Sequence, residues 1–187
     1  MITVAAYDIH VEQLFEKMRR VHRAFSEAQV SYRVVGGLAV YFHVSARDLD
    51  NARMTRDIDV AVDRREMDRI IQAAEKHGFR YRHAAGIMLV DAEEPTARSA
   101  VHLVFAREKV RPEDVEPVPG FSEPTRTAEG VLLAPVADLV RMKLTSFRMK
   151  DRVHVQDLDS VGLITPEIEA SLPEVLRARL AEVRATE

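Results

Sequence analysis

The stretch TRDIDVAV, Thr55 to Val62, constrains this chain more than any other. Its β-branched, apolar content reads as a strand, and side chains alternate faces along a strand. Asp57 and Asp59 therefore point the same way, opposite to Ile58, Val60 and Val62. Two carboxylates side by side repel, and burying either without a partner is costly or forces it to protonate. The fold must set that face at a wet edge or bring cations to it.

The flanking pattern says what such a strand belongs to. Val11, Leu14, Phe15, Met18, Val21, Phe25 and Ala28 form one helical face, with Asp8 as the expected N-cap. YRVVGG follows as a short strand closed by two glycines, and LAVYFHV reads as a helix opened by them. SARDLDNARMT is a charged loop leading to the aspartate strand. RREMDRIIQAAEKHG is a second amphipathic helix, with Met67, Ile70, Ile71 and Ala74 inward and Gly78 as its stop. FRYRH, IMLVD and SAVHLVFA read as three strands. The proline-rich stretch 107–130 reads as a long surface excursion. VLLAP is a short strand, Pro135 suits the first turn of a new helix, and helices run from there to the end. The order predicts an α/β (α+β) fold: a mixed sheet flanked by helices, with a helical C-terminal part. The expected division is an α/β core over residues 1–130 and a helical region over 131–187 packed on it.

Composition narrows the class. With 187 residues and 47% hydrophobic content the chain can bury a sizeable core. The absence of cysteine removes disulfides, thiolate metal sites and thiol nucleophiles. A net charge of −3 rules out a globally basic nucleic-acid surface, though not a local patch. The N-terminus does not resemble a signal peptide, and no run approaches the roughly 20 apolar residues of a membrane span. A soluble cytoplasmic protein, not a membrane protein, is expected.

Two motifs gain meaning together. Gly36 and Gly37 stand where a strand becomes a helix, so backbone N–H groups can approach an anion under the partial positive charge of the helix start. Carboxylates at i and i+2 on the next strand can clamp a divalent cation; Mg²⁺ suits one or two carboxylates completed by water and substrate phosphate. A phosphate cradle beside a carboxylate pair is the minimum equipment for metal-assisted phosphoryl or nucleotidyl transfer.

VVGGLAVYF followed by RMTRDIDVAV resembles the signature of the DNA polymerase beta superfamily of nucleotidyltransferases: an apolar strand, a glycine pair opening a helix, then Asp-x-Asp on a following strand. DLVRMKLTSFRMKDRVHVQDL resembles a helix of AbiEii-type minimal nucleotidyltransferases. The resemblance spans roughly residues 30–162. It implies that Gly36 and Gly37 meet the phosphates of a nucleoside triphosphate, that Asp57 and Asp59 bind Mg²⁺ (or Mn²⁺), and that Lys143 lies near the triphosphate. Arg53 is a further candidate for a phosphate, although Arg53 and Arg56 equally suit salt bridges. The implied reaction moves a nucleoside monophosphate to an acceptor hydroxyl on RNA such as tRNA, on a protein or on a small molecule. A toxin–antitoxin setting is among its implications.

Two departures follow. The loop between Gly37 and Asp57 is longer than in most such proteins, which suggests an insertion at SARDLDNA. The third carboxylate expected on a later strand is replaced by His102, a poor ligand for Mg²⁺ but acceptable to Mn²⁺. A neutral histidine can instead serve as general base. Asp91 is the substitute carboxylate if the strands pair otherwise. The alternative reading is a degenerate member that binds nucleotide or a partner protein without transfer. His43 and His154 read as structural or surface residues, and Arg148, Lys150 and Arg152 as a small basic cluster on a solvated face.

Overall fold

The computed structural model describes residues 4–83, 86–93 and 100–186, with residues 4–10 as backbone only. A mixed seven-stranded sheet runs in the order β3-β4-β5-β2-β1-β7-β6. Its strands are β1 (Tyr32–Val35), β2 (Ile58–Val62), β3 (Phe79–His83), β4 (Ile87–Asp91), β5 (Val101–Phe105), β6 (Thr125–Arg126) and β7 (Leu132–Leu133). β2 pairs antiparallel with β1 and parallel with β5, and β1 pairs parallel with β7.

Register sorts the two faces, because residues directly opposite on paired strands project to the same side. Val35, Asp59, His102 and Met88 are successive register partners across β1, β2, β5 and β4, so they share one face. Tyr32, Val34, Ile58, Val60 and Val62 project from the other. Helix α1 (Val4–Glu27) covers that second face: Phe25 stacks edge-on against Tyr32 at 5.6 Å, and the Tyr32 hydroxyl bonds His22 Nδ1 at 2.6 Å. The helix starts before Asp8, which sits within it and is not its cap. Phe25, Val34 and Val60 share the main hydrophobic cluster with Leu139, Leu158 and Leu180 of the C-terminal helices, while Met88, Val90 and Ala100 form a small second one.

Helix α2 (Gly36–Ser45) begins with no connecting residue after β1. It is apolar on most sides and buries Leu38, Ala39, Val40 and Val44, as a helix wedged between other elements must. α3 (Met67–Lys76) follows a 3₁₀ turn at Arg64–Glu66, and Gly78 closes it at φ +78°. α4 (Val136–Ser146), α5 (Met149–Ser160), α6 (Pro166–Ser171) and α7 (Glu174–Arg184) complete the chain. Pro135 is the N-cap of α4 and so stands one place before its first turn. Among the described residues no helix is long and apolar enough to cross a membrane.

The stretch 107–130 is, as expected, a long excursion that is exposed or half-buried apart from Val118, but it is tied down at its base. Arg107 N donates to Val118 O at 2.8 Å and Val118 N to Glu108 O at 2.9 Å, closing the segment between them into a loop. Val118 is buried at its base, and residues 110–117 fold back over the Asp59 side of the sheet.

Candidate functional site

The glycine pair and the aspartate strand meet as side chain against backbone. Gly36 lies at φ +69°, a left-handed conformation open to glycine. A Cβ at this position would sit 2.1 Å from Asp59 Oδ2, so the carboxylate rests directly on the backbone that opens α2. Gly37 is crowded from the other side: its absent Cβ would lie 3.1 Å from Thr55 Oγ1 and 3.2 Å from His154 Cε1.

Asp59 is half-buried and accepts no hydrogen bond among the described residues. Burial is the main cause that pushes its carboxyl above the usual range, and the charge of Asp57 adds to it, against the pull of Lys143, His102 and Lys150. Asp57 precedes the first residue of β2 and is exposed, with Lys150 Nζ 4.0 Å from its Oδ2. It does not line the cleft in front of Asp59, but its charge reaches Asp59 from the loop side of the strand start.

In front of Asp59 opens a cleft of about 210 Å³. Gly36, Asp59 and Val104 line its floor, α4 and the α4–α5 turn contribute Lys143, Ser146 and Arg148, and residues 110–118 supply the outer wall. Lys143 is buried and donates to Asp151 Oδ1 at 3.0 Å. Asp151 Oδ2 accepts from Arg148 Nε and from Ser146 Oγ, each at 2.8 Å. Burial pushes the Asp151 carboxyl up, but Arg148, Lys143 and Ser146 outweigh it and hold the group at about 2. Lys143 and Arg148 thus reach the cleft as cations fixed by one buried anion. His154 is brought down to about 4, first by burial and then by Lys143, so it packs beneath Gly37 as a neutral ring.

Gly36, Asp59 and Lys143 therefore converge on one cleft. His102 is the register partner of Asp59 and faces the same side one strand away. Arg53 is turned elsewhere: its Nε donates to Asp157 Oδ1 at 2.8 Å, and it does not line the cleft. Asp91 cannot stand in for the third carboxylate. It projects from the opposite face, where Arg20 Nη1 holds it at 2.7 Å. Sequence reasoning missed Asp151 and the 110–118 wall; His154 is structural, as read, but its place beneath Gly37 is new. Lys143 and Asp151 are eight residues apart across a turn at Phe147 (φ +47°), so no helical spacing announces the pair.

Among the described residues no three His, Asp or Glu side chains form a ready-made metal cage. A half-buried carboxylate that accepts no hydrogen bond among the described residues, with a second carboxylate two residues away, fits an ion such as Mg²⁺ that takes one or two carboxylates and completes its shell with water and substrate phosphate. Asp57 and Asp59 would hold it.

A substitution isolates the glycine contact. Gly36→Ala and Gly162→Ala each force alanine into the left-handed region (φ +69° and +71°), a strain of about 1–2 kcal/mol. Nothing lies within 4 Å of the Gly162 position, whereas the Gly36 methyl meets Asp59. Chemical denaturation should show Gly36→Ala to be the more destabilising of the two. Equal losses would mean that the carboxylate does not rest on the bend.

No family model matches the chain, and no curated protein does. Among solved structures, that of the antibiotic-resistance factor ANT(2″)-Ia in solution is similar, with a TM-score of 0.52 and 16% identity over 89% of this chain and 90% of that one. The crystal structure of ANT(2″)-Ia in complex with adenylyl-2″-tobramycin gives a TM-score of 0.46 at 14% identity, over 89% of this chain and 94% of that one. The Megavirus polyadenylate synthase gives 0.42 at 10%, over 100% of this chain and 36% of that one. At such identities the likeness is one of architecture: the chain has a nucleotidyltransferase-like α/β fold.

Proposed function

We propose that this protein transfers a nucleoside monophosphate from a nucleoside triphosphate to an acceptor hydroxyl. The observation that carries the reading is the Asp59 carboxylate seated on the Gly36 backbone at the start of α2, where a phosphate cradle and an acidic clamp become one site. The triphosphate lies along the Gly36–Gly37 turn, and Lys143 and Arg148 offset its charge from the α4–α5 side. The acceptor oxygen attacks the α-phosphorus, the bond to the β-phosphate breaks and pyrophosphate leaves. His102 serves as the general base that takes the hydroxyl proton. A divalent cation held by Asp57 and Asp59 would polarise the α-phosphate and screen the leaving group. The wall formed by residues 110–118 closes the cleft against water and orients the acceptor.

The acceptor classes that fit this reading are RNA such as tRNA, a protein side chain, and a small molecule. The last draws support from the shared fold with an antibiotic-resistance factor. A toxin–antitoxin role belongs to the first two. His102 beside Asp59 favours a second reading, in which the fold binds nucleotide or a partner protein without transferring anything.

One experiment separates them. The protein is incubated with each of the four α-³²P-labelled triphosphates, with Mg²⁺ or Mn²⁺, and with bulk tRNA, cell lysate or an aminoglycoside panel. Label on an acceptor supports transfer, and its partition among the arms names the acceptor class. Nucleotide binding without transfer supports the second reading, and neither result removes both. His102→Asp should shift metal preference from Mn²⁺ toward Mg²⁺. An unchanged preference would detach His102 from the metal side of the site.

A further inference from the structure

Arg53 and Asp157 make an ion pair that the chemistry above does not use. They are 104 residues apart, and the pair joins the loop before β2 to helix α5. Asp157 is buried, with its Oδ2 lacking a hydrogen-bond partner among the described residues, so Arg53 is its only close counter-charge there. The same short loop touches the site twice more. Thr55 packs on Gly37, and its Oγ1 accepts from the Asp57 backbone N–H at 3.3 Å. Helix α5 also sends Lys150 toward Asp57 and His154 under Gly37.

We infer that Asp157, acting through Arg53, is a positioning residue that docks the 53–57 segment on α5 and so fixes the Asp57 carboxylate beside Asp59. Arg53 is then an anchor rather than a phosphate ligand. The loop from Ala46 to Asp57 has no strand or helix to order it, so Asp57 would otherwise swing with the chain. The Arg53–Asp157 bond and the Thr55–Gly37 contact remove that freedom four and two residues upstream. An exposed ion pair is worth little, but here the carboxylate is buried and the guanidinium is its partner, which makes the geometry costly to lose.

This inference rests on the reading of Asp57 and Asp59 as the cation site, and its test is built so that the two can fail separately. Mn²⁺ alone is titrated into the wild-type protein, Arg53→Ala, Asp157→Asn and the double variant, following free Mn²⁺ by electron paramagnetic resonance. Backbone amide exchange over residues 53–57 is measured on the same four proteins. Supporting partners that orient metal ligands typically contribute about 10- to 100-fold in affinity. Each single variant should weaken Mn²⁺ binding by about that range and speed exchange in the segment, with the double variant no worse than either single one. Nucleotide affinity measured without metal should stay unchanged in Asp157→Asn. If Asp157→Asn is silent while Arg53→Ala loses nucleotide, Arg53 is a phosphate ligand and the inference is overturned. Wild-type protein that holds no Mn²⁺ would overturn the cation site, and the exchange data would then decide the anchor alone. Unchanged exchange in both single variants removes the anchor.

Discussion

Asp59→Asn will abolish label transfer and, at neutral pH, raise the melting temperature. The two effects have one origin. Asp59 is half-buried against Gly36 with no hydrogen-bond donor among the described residues, and burial together with the neighbouring Asp57 disfavours its charged form more than Lys143, His102 and Lys150 favour it. The sign follows from linkage. A carboxyl whose folded-state value lies above its unfolded one binds its proton more tightly when folded. Its contribution to stability is therefore present below the unfolded value and is lost as pH rises through the folded one. The wild-type protein should become less stable across that window, and Asp59→Asn, which carries no charge, should lack that loss. Thermal melts followed by circular dichroism from pH 4 to pH 8 would show the variant gaining on the wild type as pH rises. A gap that stays constant with pH, or one that favours wild type at pH 8, would refute the claim that Asp59 is held at a cost to the fold. The functional half needs only the labelled transfer assay. A site that spends stability to present an ion is the usual trade between stability and activity.

The fold and the site were legible to different depths. Strand β2, helices α2 and α3 and the Gly36 bend could be read because each is local: alternation, helical spacing and a glycine pair leave marks within about ten residues. The convergence of Gly36 with Asp59 was legible at one remove, since two motifs of opposite charge preference share a purpose. For Arg53 the resemblance implies a phosphate and the residue type a salt bridge; the salt bridge is what forms, with a partner, Asp157, that lies 104 residues on and that no local pattern names. Asp91 failed as a substitute for the third carboxylate because strand register, which no local pattern states, turned it toward Arg20 on α1. The proline-rich stretch is the surface excursion its composition suggests, but nothing in that composition says that the loop closed at Val118 walls the cleft. Loops carry weak periodicity, so a loop that folds onto a site is the element sequence reasoning sees least well.

Asp151 is where that blindness matters most, and Asp151→Ala should be the most destabilising single change at the site. The residue is fully buried and serves Lys143, Arg148 and Ser146 at once. Deleting it leaves the buried Lys143 ammonium without its hydrogen-bonded counter-charge, a situation that costs about 3–5 kcal/mol. For a domain of this size each kcal/mol moves the melting temperature by about 2–4 °C, so a fall of roughly 10 °C is expected. Removing both partners should be milder than removing one, so Lys143→Met with Asp151→Leu should regain part of the loss. The pH dependence runs opposite to that of Asp59. The Asp151 carboxyl, ordinarily 3.8, is held at about 2 in the folded protein. Its contribution is therefore complete above pH 4 and disappears as pH falls through 2. Asp151→Ala should thus differ from wild type by a margin that narrows between pH 4 and pH 2. Glu129→Ala supplies the comparison, since Glu129 pairs with Arg19 in the open and exposed pairs contribute about 0–1 kcal/mol. If Asp151→Ala unfolds at the same temperature as Glu129→Ala, Lys143 is not held by that carboxylate. The cleft would then lack the fixed cation on which its reading as a triphosphate site depends.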